Sequence, residues 1–235
     1  PDIPVVLKRI DGHAMLVNQK ALDLAGINVK TKISGGVIMK KNEKLTGILI
    51  VSPMRLVNEA LPQPTKKQKI KALLNAEQIA FANGLTTVSV AGLNKDDIFL
   101  IDSLQKEKLL SIRIYAMISN SRDNMEYYLK SGPYKTDKLN VRSFKIYADG
   151  ALGSRGAALK KPYNDLPNHK GSFITSKDSI EALAYKLAST PFQMNTHAIG
   201  DEANHSILKI YNKVLKDKPD PRWRVCLLYT SPSPR

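Results

Sequence analysis

Cysteine occurs once in 235 residues, at Cys226, which excludes an internal disulfide framework and any zinc cluster built on thiolates. A metal held by this chain has to rely on His, Asp, Glu or a modified Lys. Aromatic residues make up only 6% of the sequence, and no stretch approaches the roughly 18 consecutive apolar residues of a membrane helix. A G-x-S-x-G nucleophile elbow is missing, which argues against serine-hydrolase chemistry. The Walker lysine spacing is missing as well, so the glycines of Asp149-Gly150-Ala151-Leu152-Gly153-Ser154-Arg155-Gly156 are a weak phosphate signal. They suit close approach of backbone to a ligand, with Arg155 as a forked donor for a substrate or structural carboxylate.

Acidic residues are outnumbered, 21 against 36 Lys and Arg, for a net charge of +15. The excess sits on helical stretches such as Lys66-Lys67-Gln68-Lys69-Ile70-Lys71, where solvated helix faces account for it. Without stacking aromatics or a reading motif, no nucleic-acid partner is expected. With 43% hydrophobic and 24% charged residues, the chain can build one sizeable core. It opens at Pro1 on an apolar stretch, Pro4 to Leu7, so a segment upstream is expected. A cytoplasmic and an exported location both remain compatible, and the sequence does not speak to oligomeric state.

From Lys66 onward, short apolar runs alternate with helical periods, the pattern of a parallel α/β fold. Thr65 is placed to cap a helix with Ile70, Leu73, Leu74 and Ile79 on one face, ended by Asn83-Gly84. Strands are predicted over Leu85 to Val90, Ile112 to Ile118, Val141 to Ala148 and Phe192 to His197, with a last one starting at Trp223. Helices are predicted near Asp96 to Leu109 and Asp123 to Lys130, then one with a capping box at Thr175-x-x-Asp178 and one capped by Asp201. The polar segment from Gly150 to Thr175 is too long for an ordinary βα connection, and such loops are usually functional or disordered. Residues 1–64 differ, with a helix near Asn18 to Ala25 and a hairpin from Gly36 to Val51, and suit an inserted subdomain ahead of a barrel over 65–225.

Strand alternation sorts the side chains. Phe144, Ile146 and Ala148 suit a helix layer, leaving Val141, Ser143, Lys145 and Tyr147 inside. Phe192, Met194 and Thr196 do the same, leaving Gln193, Asn195 and His197 inside. Lys145 and His197 therefore lie near the carboxyl ends of strands, where barrel enzymes keep their reactive groups. A buried lysine has a lowered pKa, and its neutral amine can add carbon dioxide to give an anionic ligand for cations, with a neutral imidazole as natural co-ligand. Plainer roles stand beside these: a hydrogen-bonded core histidine or general base for His197, and an ion pair with Asp149 for Lys145. His205 reads as structural or exposed, and His169 as a loop residue near a possible substrate.

The segments Arg9-Ile10-Asp11-Gly12-His13-Ala14, Leu45-Thr46-Gly47-Ile48-Leu49, Ala82-Asn83-Gly84-Leu85-Thr86-Thr87-Val88, Lys145 through Gly156, and Asn195-Thr196-His197-Ala198-Ile199-Gly200-Asp201 occur in an order that resembles amidohydrolase family 3, the branch that includes N-substituted formamide deformylases. The resemblance spans Pro1 to about Val225. It implies a partial TIM-type (β/α)8 barrel and one or two divalent metals, usually zinc, held by His197 and a carboxylated Lys145. It further implies hydrolysis of a small-molecule C–N bond of the amide type by a metal-activated water, with His13, Arg155 and Asp149 contacting substrate. A non-catalytic barrel-fold binding protein and a Schiff-base aldolase using Lys145 are the alternatives. The family's His-x-His pair, sixth-strand histidine and eighth-strand aspartate are not in the chain. Where Glu-His usually follows a start like Arg222-Trp223-Arg224-Val225, the tail 226–235 resembles translated sequencing adapter. Truncation at both ends, with poor solubility and activity, is the resulting expectation.

Overall fold

The computed structural model describes residues 2–227. Its elements run β1 (Val6–Lys8), β2 (Ala14–Val17), α1 (Gln19–Leu24), β3 (Gly36–Lys41), β4 (Lys44–Val51), α2 (Met54–Ala60), α3 (Lys66–Ala82), β5 (Thr87–Leu93), α4 (Lys95–Lys106), β6 (Arg113–Ser119), α5 (Arg122–Ser131), β7 (Tyr134–Lys135), β8 (Leu139–Tyr147), α6 (Lys177–Ala188), β9 (Gln193–His197), α7 (Asp201–Val214) and β10 (Arg224–Cys226).

Two sheets form. The first is antiparallel in the order β1-β2-β4-β3, over a small core of Met15, Val17, Leu22, Leu49, Met54 and Val57. Its β3–β4 turn places Asn42 and Glu43 at positive φ, the twist that a tight hairpin requires. The second sheet has parallel strands in the order β5-β6-β8-β9-β10, with the short antiparallel β7 beside β8. The parallel strands follow chain order without reversal, so right-handed crossovers put every connecting helix on one face and the sheet curls. The result is an α/β half-barrel of the TIM type, as expected from the sequence.

The main core lies between strands and helices. Ile114, Ala116 and Ile118 of β6, Phe144 and Ile146 of β8 and Met194 of β9 meet Ile98, Ile101 and Leu104 of α4, Ile180 and Leu187 of α6, and Ile207 and Ile210 of α7. Thr196 also faces the helices, its hydroxyl 2.7 Å from that of Tyr211.

Several local expectations are corrected. Val141 packs with the helix layer, because β8 has a register irregularity opposite Ala116 and Met117 that switches the alternation before Ser143. On α3 the inward stripe runs through Glu77 rather than Ile79, which is 66% exposed. The buried Glu77 carboxylate accepts the backbone N–H groups of Ser111 (2.6 Å) and Ile112 (2.8 Å), a tie that hydrophobic periodicity does not register. Helix α6 is capped by Ser176, whose hydroxyl accepts the Ser179 N–H, while Thr175 donates to the Tyr147 carbonyl. Helix α7 starts from Gly200, and Asp201 is its first residue. Strand β2 was not expected at all. Cys226 belongs to β10 and so lies inside the barrel sheet, while the rest of the tail beyond Leu227 lies outside the described residues.

Candidate functional site

Strands β8 and β9 run side by side with Lys145 opposite Asn195 and Tyr147 opposite His197. Lys145, Tyr147 and His197 share the interior face at the carboxyl ends, where the half-barrel opens. The Lys145 amine lies 4.8 Å from the centre of the Tyr147 ring, and that ring lies 5.5 Å from the His197 imidazole. Among the described residues, no carboxylate stands at ion-pair distance from Lys145, so the expected pair with Asp149 is not formed. Burial pushes the amine below the ordinary lysine range, opposed by the nearby Cys226.

His197 is 2% exposed, and its Nε2 sits 3.3 Å from the Gly150 carbonyl. Burial lowers its pKa to about 4; the Gly150 hydrogen bond opposes this and the nearness of Lys145 and His13 adds to it. At neutral pH the imidazole is therefore uncharged, with a lone pair to offer.

His13 reaches the same mouth from the other sheet, its ring 5.2 Å from that of His197. The β1–β2 turn delivers it. Arg9 pairs with Asp11 at 2.8 Å and reaches the Gly153 carbonyl at 3.3 Å, while the Asp11 carboxylate accepts the His13 N–H and Val51 donates to the His13 carbonyl. The hairpin tip thus rests on the loop that follows β8.

That loop is ordered by internal bonds. Asp149, fully buried, accepts from Ala158 (2.8 Å) and Gly200 (2.8 Å) on one oxygen and from Ile199 (3.0 Å) on the other. Burial raises its pKa, and the three backbone donors and His13 hold it back. Both oxygens of Asp149 accept backbone N–H groups, and the residue ties together the loops around the mouth. A Cβ at Gly200 would lie 1.9 Å from the Ala158 carbonyl oxygen, so only glycine allows the two loops to meet there. Arg155, in the left-handed region at φ 55°, pairs with Asp165 and donates to Gly153; its fork serves a structural carboxylate. His169 binds the Arg155 carbonyl and stacks beside Tyr163, and His205 is exposed on α7.

Below the mouth the interior stays polar. The Tyr115 hydroxyl donates to the Gln193 amide oxygen at 2.6 Å, and the Asn195 amide donates to Ser143 at 3.0 Å. Strand alternation placed Gln193, Asn195 and Ser143 inside; pairing them required the register between strands.

Residues 1–226 match the sequence profile of a family described as the Amidohydrolase family. The chain belongs to the amidohydrolase family. Among curated relatives, this amidohydrolase chain is 33% identical to the putative amidohydrolase YtcJ of Bacillus subtilis (strain 168), over 91% of its own length and 41% of the relative. It is 28% identical to Protein LONG AFTER FAR-RED 3 of Arabidopsis thaliana, over 91% of its length and 39% of that protein. An uncharacterized metal-dependent hydrolase from Pyrococcus horikoshii OT3 shares the fold, with a TM-score of 0.70 at 23% identity, over 90% of this chain and 42% of that one. The chain thus spans about two fifths of the length of these relatives.

Proposed function

We propose that the chain carries part of the active site of a metal-dependent hydrolase that cleaves C–N bonds of the amide type in small molecules. The observation that carries this reading is the convergence of an uncharged, buried imidazole at His197 and a buried amine at Lys145, free of any carboxylate partner among the described residues, from adjacent strands into one mouth. Family membership and the metal-dependent hydrolases that share the fold support it.

These donors fit part of a divalent-cation shell. Among the described residues no three His, Cys, Asp or Glu side chains converge as a complete set. His197, with Lys145 in its carboxylated form, would hold the cation, most naturally zinc, as one or two ions. When bound, the cation supplies Lewis acidity and activates water for attack on a carbonyl. His13 faces the mouth beside His197 and suits a hydrogen bond to a substrate heteroatom. Tyr147, whose pKa is raised by burial, stays protonated and offers its O–H as a donor. Asp149 acts through the backbone, fixing the loops after β8 and β9. Arg155 acts by bracing the first of these loops against Asp165.

With His197 and Lys145 as the converging donors among the described residues, we expect weak metal binding and low turnover. The test is to load the protein with zinc, count metal per chain by mass spectrometry, and follow hydrolysis of simple N-substituted amides. His197→Ala and Lys145→Ala should each lower bound zinc at least about tenfold, the loss of one ligand's share of the binding energy. Zinc binding unchanged in both variants would sink the proposal. The burial that lowers the pKa of the Lys145 amine also suits a Schiff-base aldolase. Borohydride trapping of a carbonyl substrate on Lys145, with activity indifferent to chelator, would favour that chemistry instead. Tight ligand retention without any turnover would mark a binding protein.

A further inference from the structure

Three side chains share one layer of the half-barrel interior: Lys145 of β8, Asn195 of β9 and Arg224 of β10 are successive register partners. Asn195 is fully buried. One end of its carboxamide donates to Ser143 at 3.0 Å, and the other end, Oδ1, has no hydrogen-bond partner among the described residues. Buried amide oxygens in folded proteins are almost always met; the Gln105 and Asn204 oxygens are unmet as well, and that of Asn195 is the one beside a candidate cation ligand. Gln193, one layer below, takes the Tyr115 hydroxyl, and Arg224 lies over the Tyr115 ring at 4.8 Å. The free end of the Asn195 amide is left over in this layer, beside the Lys145 amine, whose neighbour on β10 is the Cys226 thiol.

We infer that Asn195 is a positioning residue for Lys145, its free amide end being the hydrogen-bond partner of the carboxylated lysine. The inference rests on the reading of Lys145 as a cation ligand given above. In the carboxylation, the lone pair of the neutral amine attacks carbon dioxide and a new N–C bond forms. One carbon–oxygen π pair moves onto oxygen, and the nitrogen releases a proton to water. The product keeps one N–H and gains two anionic oxygens. An N–H held by the Asn195 amide oxygen fixes the plane of the carbamate and leaves both of its oxygens for the mouth. Ser143 anchors the opposite end of the same amide and so sets its orientation.

The test uses the full chain, zinc and ¹³C-labelled bicarbonate, with the carbamate carbon read by ¹³C NMR. Asn195→Leu keeps the branched skeleton of the side chain and removes the unmet polar group, and retention of the fold is checked by circular dichroism. The wild type should show a carbamate resonance, and Asn195→Leu should weaken it about tenfold, with zinc per chain falling in parallel. Ser143→Ala, which releases the amide without changing its size, should weaken the resonance about threefold and serves should the leucine variant misfold. Equal resonances in wild type and variants would overturn the role of Asn195 while leaving Lys145 as a ligand. No resonance in any of the proteins would overturn the reading of Lys145, and this inference with it.

Discussion

Asp149 lies 3.7 Å from His197, carboxylate oxygen to Nε2, yet that carboxylate is held by three backbone N–H groups from two loops. A buried acid next to a buried imidazole invites a catalytic pairing. Here the imidazole is uncharged at neutral pH and turns its Nε2 also to the Gly150 carbonyl, while the acid serves the loops. Removing the acid therefore acts first on architecture.

Asp149→Ala should cost about 3 kcal/mol or more, because the buried N–H groups of Ala158 and Gly200 and the part-buried one of Ile199 would lose their acceptor. Asp149→Asn retains one acceptor oxygen and should cost less. Urea unfolding of both variants against the wild type gives the comparison, and equal stability of all three would refute the tie.

Stability should fall in mild acid through His197. Its folded pKa of about 4 lies below the ordinary 6.5, so the group contributes stability that is fully present above 6.5 and is lost as pH falls toward 4. The full effect is about 3 kcal/mol. Urea midpoints between pH 7 and pH 4 should drop more steeply in the wild type than in His197→Gln. Parallel slopes would contradict the assignment.

Lys145→Met should separate stability from function. It removes a buried amine that has no carboxylate partner among the described residues, so the folded chain should gain about 1 kcal/mol or hold even while zinc retention is lost. Differential scanning calorimetry and metal analysis on one preparation report both. A marked destabilisation would show that the amine is already well satisfied.

Gly200→Ala should be far more damaging than Gly26→Ala. At Gly200 the new methyl meets the Ala158 carbonyl oxygen at 1.9 Å, whereas at Gly26 it meets nothing within 4 Å and strains only a positive φ. Losses of about 3 kcal/mol or more and about 1 kcal/mol are expected. Similar thermal midpoints for the two would mean that the loops after β8 and β9 separate at little cost.

The half-barrel was legible in the sequence because buried parallel strands alternating with amphipathic helices leave a strong periodic trace. The inward turn of Lys145 and His197 follows from strand alternation alone. Val141 shows where that rule stops: one irregularity in register reverses the faces, and no residue type in Arg142-Ser143 announces it. Helix starts are legible only to within a residue because Thr175 and Ser176, or Gly200 and Asp201, are adjacent candidates, and tertiary bonds to Tyr147 and Asp149 decide between them. The approach of His13 to His197 had no local signature. It depends on one sheet docking on the loops of another, a long-range event to which periodicity is blind.

The clasp of Arg9 on Gly153 has a consequence for measurement. The imidazoles at 13 and 197 belong to different sheets, so the gap between them works as a gauge of how those sheets are seated. Isotope-labelled rings at these two positions would register a small tilt of the hairpin as a change in their mutual shielding, before any bond elsewhere in the chain had broken.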